Sequence, residues 1–393
     1  MTKKLLLGTT ALCAAVALST PASAQVEVTV GGFMDQWFGW GDNDDNNPLA
    51  PAGTALAGSL QNVNHFIDSE IIFRFQGQTD NGLTFGGQVQ LEGLTSGDQI
   101  DESFLFLSGD FGRINIGSEN SAPYLMQVSS PNVGLGINSG SNTAFIVNPT
   151  GGAMFRSPFG STGIEAARDN DSEKITYFTP RFEGFQLGVS YAPDIQQDDG
   201  GQDPDVFGGA VFETSPVSYN NAISVGANYV NSFDGVDIAI AGGFFYASAE
   251  DGAPNVVNNS GVDTSDDFVG LSAGITVGYA GFEAGFSYAN VLNGVINGAG
   301  TTSTEGQGFD AGIAYTSGPI SVSFNGFYGE QESNLDNTAD DEYLALQGSV
   351  RYALGQGLDV AASIGWTDFE GEAPGAGDDN DGVYITGGVL ASF

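Results

Sequence analysis

The sequence predicts an all-β chain: one closed, sixteen-stranded antiparallel barrel that spans a membrane with its strands. Three observations predict it. Segments of about ten residues alternate between apolar and small or polar side chains, and the apolar side is nearly free of charge. The connections between those segments alternate short and long. The chain finishes on Phe393, the last apolar member of an alternating strand. A water-soluble sheet places charge on its exposed face and hides the apolar one; a lipid-facing wall inverts that order.

The first segment reads as an export signal over residues 1–24. Lys3 and Lys4 form its charged region, Leu5 to Leu18 its short apolar stretch, and Ala22-Ser23-Ala24 its cleavage motif, so the barrel is expected over 25–393. The single cysteine, Cys13, lies inside that signal, which leaves no disulfide to expect beyond it. Nine basic residues against 48 acidic ones give a formal charge of −39. That balance excludes a nucleic-acid partner, which needs a basic footprint, and suits a surface that attracts cations. Fifty-nine glycines and 11% aromatics fit β-structure with long polar loops. No window holds eighteen apolar residues, so no helix spans a membrane, as expected when alternation averages out.

The strands follow in order. Val26, Val28 and Val30 share the apolar face of the first. Ile71, Phe73 and Phe75 oppose Glu70, Arg74 and Gln76. Phe85, Val89 and Leu91 oppose Gln88, Gln90 and Glu92. Phe104 and Phe106 are assigned to the apolar face of a fourth strand, and Ile114 and Ile116 oppose Arg113 and Asn115 in a fifth. Ile175 and Tyr177 oppose Lys174 and Thr176, and Phe185, Leu187 and Val189 oppose Gln186 and Ser190. The pattern repeats through Ile223–Tyr229, Ile238–Tyr246, Val269–Tyr279, Phe282–Tyr288, Phe309–Tyr315, Ile320–Tyr328, Leu344–Tyr352 and Leu358–Trp366, and ends with Val383, Ile385, Val389 and Phe393. Aromatics near strand ends, Trp40, Tyr191, Tyr279, Tyr315, Tyr352 and Trp366 among them, predict two interfacial girdles.

Short turns fall at 80–82, 110–112, 182–184, 234–235, 280–281, 318–319 and 355–357. Long connections fall near 41–65, 94–101, 119–173, 193–218, 251–266, 293–306, 331–341 and 371–381. Seven short and eight long connections in alternation are what an even up-and-down barrel of sixteen strands needs, with the short turns on one side of the membrane.

Three stretches carry a family likeness: DNGLTFGGQVQLE (80–92), GDFGRINIGSEN (109–120) and SEKITYFTPRFEGFQLGVSYAPD (172–194), each a strand–turn–strand unit. Through them the chain resembles the general diffusion porins of Gram-negative bacteria, the alphaproteobacterial type in particular. The resemblance covers nearly all the chain beyond the signal. It implies a homotrimer in the outer membrane, with a third extracellular loop folded inward to narrow each pore. The longest connection here, 119–173, is also the third. The family's acidic third-loop motif has only a loose counterpart, RSPFGSTG at 156–163. A terminal aromatic such as Phe393 is read by the barrel-assembly machinery in that family.

A barrel of this size holds a water-filled channel, and the charged groups at its narrowest section set which solutes pass. Strand parity points Arg74, Arg113, Lys174 and Arg351 into the lumen, four of the nine basic residues. An outward charge at mid-membrane would cost about 2–4 kcal/mol, which supports that parity. In the resembling family a basic wall faces acids on the inward loop; the candidates here are Glu119, Glu165, Asp169 and Asp171, with Arg156 and Arg168 as further loop cations. The acidic excess predicts a modest cation preference over small hydrophilic solutes and ions.

Acidic clusters on the long connections, including Asp42, Asp44, Asp378, Asp379 and Asp381, offer oxygen ligands suited to Ca²⁺, though none has EF-hand order. They predict a solvated negative rim that could bridge to lipopolysaccharide through divalent ions, and no obligatory cofactor. His65 is the only histidine, and no nucleophile elbow, zinc motif or phosphate loop accompanies it, so the chain does not read as an enzyme. Two alternatives stand beside the diffusion channel. A substrate-specific channel would show an aromatic slide or dense arginine site in the lumen. A secreted acidic calcium-binding β-protein would show repeated calcium motifs.

Overall fold

The structure, a computed structural model, describes residues 26–43, 62–94, 99–147, 172–195, 219–249, 267–293, 305–332, 340–371 and 379–393. Its strands are β1 (Glu27–Asn43), β2 (Val63–Gln78), β3 (Thr84–Glu92), β4 (Ile100–Gly109), β5 (Gly112–Ser118), β6 (Glu173–Phe178), β7 (Phe185–Asp194) and β8 (Tyr219–Phe233). They continue as β9 (Val236–Ala249), β10 (Phe268–Tyr279), β11 (Phe282–Asn293), β12 (Gly306–Ser317), β13 (Ile320–Gln331), β14 (Asp341–Gly355), β15 (Leu358–Glu370) and β16 (Asn380–Ser392). Each strand pairs antiparallel with its sequence neighbours, and β1 pairs with β16 to close the barrel. The seam runs from Phe33 opposite Ser392 to Asn43 opposite Gly382. Phe393 is tied in as well: its N–H donates to the Gly32 carbonyl at 3.1 Å, and its carbonyl accepts from Gly32 N–H at 3.0 Å. Closure leaves no strand edge unpaired, the condition for residence in hydrocarbon.

The seven short turns connect the strands where the sequence placed them. Asp234-Gly235 and Ala280-Gly281 have positive φ at both positions, the type I′ geometry whose twist matches the flanking strands. Aromatic pairs gather beside these turns: Phe185 with Tyr229 at 4.6 Å and Phe282 with Tyr315 at 4.4 Å between ring centroids.

Outward parity is apolar and exposed, as at Ile71, Phe73, Leu187, Phe324, Ile364 and Ile385. On β4 the expectation fails. Leu105 and Leu107 are the exposed side chains, while Phe104 is buried and Phe106 half-buried on the opposite face. Four consecutive apolar residues carry no period-2 signal, so parity there is set by register with β3 and β5, not by hydropathy.

The inner face is not uniformly polar either. β5 and β6 are short, seven and six residues, against fifteen in β8 and β14. From the end of β5, residues 119–147 visit the polar-parity side chains of one strand after another. Ala122 N–H donates to Ser190 Oγ of β7 at 2.9 Å, and Val133 N–H to Ser323 Oγ of β13 at 3.2 Å. Leu135 N–H donates to Ser363 Oγ of β15 at 3.1 Å, and its carbonyl accepts from Gln347 of β14 at 2.7 Å. Asn142 donates to the Tyr343 hydroxyl at 2.6 Å, and Asn380 of β16 donates to the Val147 carbonyl at 2.6 Å. The segment includes one helical turn, α1 (Ala122–Leu125). Leu135, Ile137, Phe145 and Ile146 join Trp37, Phe327, Tyr343, Phe369 and Tyr384 in a buried apolar cluster. Burying such side chains stabilises by about 1.5–3 kcal/mol each, which holds the segment against β13–β16 and β1. The remainder of the third connection, 148–171, lies outside the described residues.

Candidate functional site: the charged wall of the lumen

The side of the barrel made by β1–β5 carries charge. Arg74 of β2 and Arg113 of β5 line one cavity of about 500 Å³, together with Glu27, Thr29, Gln88, Glu102, Phe104, Phe106, Glu119 and Leu125. Each arginine is held by a neutral amide. Arg74 Nε donates to Gln88 Oε1 at 2.7 Å. Gln88 in turn donates to Glu102 Oε2 at 2.7 Å, and Asn120 donates to Glu102 Oε1 at 2.7 Å. Arg113 Nε donates to Asn115 Oδ1 at 2.7 Å, and Asn115 donates to Glu119 Oε2 at 2.5 Å. The Arg113 guanidinium lies 4.1 Å from the centroid of the Phe106 ring, a cation–π contact that fixes its plane. Among the described residues neither arginine forms an ion pair.

Acids gather on the same wall. Gln90 donates to Glu70 and, at 2.9 Å, to Asp101 Oδ2. Carboxylate oxygens of Glu70, Glu92 and Asp101 lie within 4.8 Å of one another. Glu70 precedes Arg74 by four residues on β2, so the acidic group sits about 13 Å along the strand from the basic one. Charge is thus graded along the wall. Glu119, the first residue after β5, is buried, and burial lifts its carboxyl to about 7; Glu102 pushes the same way, while the Asn115 hydrogen bond, Arg113 and Lys174 pull it down.

The remaining predicted residues fall elsewhere. Lys174 is buried, with its ammonium donating to the Glu119 carbonyl, and it is not among the residues lining the cavity. Arg351 of β14 sits three strands from β1 across the closing seam and pairs with Asp359 of β15 at 2.5 Å. The four cations therefore do not form one cluster; of the predicted site residues, Arg74, Arg113 and Glu119 line the cavity, and Lys174 lies behind Glu119. Glu165, Asp169 and Asp171 lie outside the described residues, as do Asp44 and Asp378. Asp42, Asp379 and Asp381 sit at or beside the long-connection ends of β1 and β16, where Asp379 accepts the Gly371 N–H at 2.9 Å. The carboxylate group that does assemble, Glu70 with Glu92 and Asp101, belongs to the wall and not to those rims. Sequence reading missed Glu102, because placing Phe104 and Phe106 outward turns Glu102 outward with them. It missed Gln88 and Asn115 as holders of the arginines, although both share the inward parity of their strands.

Comparison with known proteins agrees with this architecture. The family model of Gram-negative porins matches residues 8–372. An uncharacterized protein of Rickettsia bellii is 23% identical over 337 residues, 70% of this chain and 74% of that protein. The anion-selective porin from Comamonas acidovorans superposes with a TM-score of 0.62 at 14% identity, covering 94% of this chain and 100% of that one. Salmonella typhi OmpF, in complex with daunomycin, superposes at 0.57 with 13% identity, covering 93% and 98%. At these identities the likeness is one of fold.

Proposed function

Because the chain belongs to the Gram-negative porin family and is a channel protein of the outer membrane, we propose that it passes small hydrophilic solutes and ions by passive diffusion, with a modest preference for cations. The third connection narrows the path, leaving an off-centre pore bounded by the charged β1–β5 wall and the free side of residues 119–147. Passive diffusion needs no cofactor and no catalytic group.

The observation that carries the cation preference is the state of the lumen cations. Lys174 is buried against the Glu119 carbonyl and Arg351 is paired with Asp359, so Arg74 and Arg113 are the wall cations left open. Glu70, Glu92, Asp101 and Glu102 share their wall, and Asp35 and Asp68 face each other across β1 and β2. A confined aqueous path lined by excess carboxylate concentrates cations, most strongly at 0.01 M salt, where the Debye length is about 30 Å. Reversal potentials of the purified channel under a KCl gradient test this reading. A cation-selective sign that grows on dilution is expected; the opposite sign, the preference named for the Comamonas acidovorans porin, would overturn it.

The same reading includes removal of residues 1–24 on export, a homotrimer packed through small-residue outer faces such as Val26 to Gly32 and Gly387 to Ala391, recognition of Phe393 by the assembly machinery, and lipopolysaccharide at the acidic rim.

A further inference from the structure

The cavity beside β1–β5 contains a stack that passive diffusion of small ions does not use. Phe106 of β4 lies directly opposite Gly86 of β3 on the inner face. A Cβ on Gly86 would lie 2.6 and 2.7 Å from Cε1 and Cζ of the Phe106 ring, so bare backbone at position 86 lets the ring lean on β3. The Arg113 guanidinium lies over that ring, 4.1 Å from its centroid, with Nε held by Asn115. A guanidinium is planar and stacks on aromatic faces. Phe106 takes one face of Arg113, and Arg113 lines the cavity together with Phe104, Phe106 and Leu125. Its plane is thereby preset for a second ring entering from the lumen.

Arg74 supplies a different contact in the same cavity. It sits on β2, three strands from Arg113, about 14 Å along the wall. Gln88 holds its Nε, and Gln88 and Phe104 lie opposite each other on the strands between. A guanidinium binds a carboxylate with two N–H groups at once. The cavity therefore offers a carboxylate partner at one end, a stacking plane at the other and apolar sides between them. Its volume of about 500 Å³ accommodates a one-ring acid. The acids that share the cavity are met by neutral donors: Glu102 accepts from Gln88 and Asn120, and Glu119 accepts from Asn115.

We propose that this cavity is a subsite for planar aromatic carboxylates, with Arg74 taking the carboxylate and the Phe106–Arg113 stack taking the ring. This rests on the reading that the protein is a diffusion channel whose path passes the β1–β5 wall, and the experiment separates the two. Single-channel recordings in KCl compare benzoate with cyclohexanecarboxylate at equal concentration. Both carry one negative charge on a six-membered ring, and only benzoate is flat and aromatic. In the native protein benzoate should hold the blocked state about fivefold longer, the ratio that one cation–π contact supplies. Phe106→Leu should bring the two blocked times together, and Arg74→Gln should shorten both. Equal blocked times in the native protein, or no block by either acid, would overturn the subsite while the KCl conductance left the diffusion channel standing. That comparison needs no variant, so it decides the matter even where Phe106→Leu does not assemble. A benzoate preference that survives Phe106→Leu would place the ring elsewhere and overturn the assignment. Absence of KCl conductance would overturn the channel reading and the subsite with it.

Discussion

The two walls of the lumen follow one backbone rule and face different partners. On β1–β5, inward positions hold Arg74, Gln88, Glu102 and Arg113 around a cavity of about 500 Å³. On β10–β16, inward positions hold Gly274, Gly285, Asp310, Ser323, Gln347 and Ser363, which touch residues 128–138. Charge and length serve the wall that meets water. Bare backbone and short hydrogen-bonding groups serve the wall that meets chain. A polar inner face therefore has two meanings, and side-chain size distinguishes them.

The largest way to break that distinction is to add bulk under the docked segment. Gly274→Leu should displace residues around Val128, destabilising the folded barrel by about 1–3 kcal/mol and altering conductance, whereas Gly348→Ala on β14 meets open space and should change neither. Heat-induced unfolding in detergent and single-channel conductance report both variants. Equal behaviour of the two would show that no chain segment is seated against Gly274.

On the charged wall, Arg74→Ala should enlarge conductance and shift the KCl reversal potential toward cations together, since it removes a long side chain and a positive charge at one point. A reversal potential unchanged from native would place Arg74 away from the conducting path.

A smaller effect is expected from pH. With its carboxyl lifted to about 7, Glu119 is mostly protonated at pH 6 and mostly ionised at pH 8. Cation preference at low salt should therefore rise across that interval, and Glu119→Gln should flatten the rise. A steep rise that survives Glu119→Gln would assign the titration to another group.

Most of the barrel was legible in the sequence because period-2 alternation and turn spacing are local signals. Ile71-Phe73-Phe75 against Glu70 and Arg74 leaves one possible parity. Phe104-Leu105-Phe106-Leu107 leaves two, and the wrong choice there also hid Glu102. The docking wall was legible only as small or polar. Glycine and serine look alike whether water or a chain segment lies over them, and what lies over Gly285 and Ser323 comes from residues about 150 to 190 positions earlier. Lys174 and Arg351 were given the correct parity, but parity does not report that a carbonyl or carboxylate already occupies the charge.

The seam between β1 and β16 has a consequence for how the molecule is made. Phe33 pairs with Ser392, so the contact that completes the wall joins residues separated by most of the chain. Every other strand finds a partner adjacent in sequence, and those hairpins can form early and independently. Until β16 arrives, β1 presents a row of bare amides and carbonyls that hydrocarbon cannot satisfy. Hairpin growth is thus incremental, while residence in the bilayer is all or none. The wall is complete only on ring closure, and that closure needs the final strand.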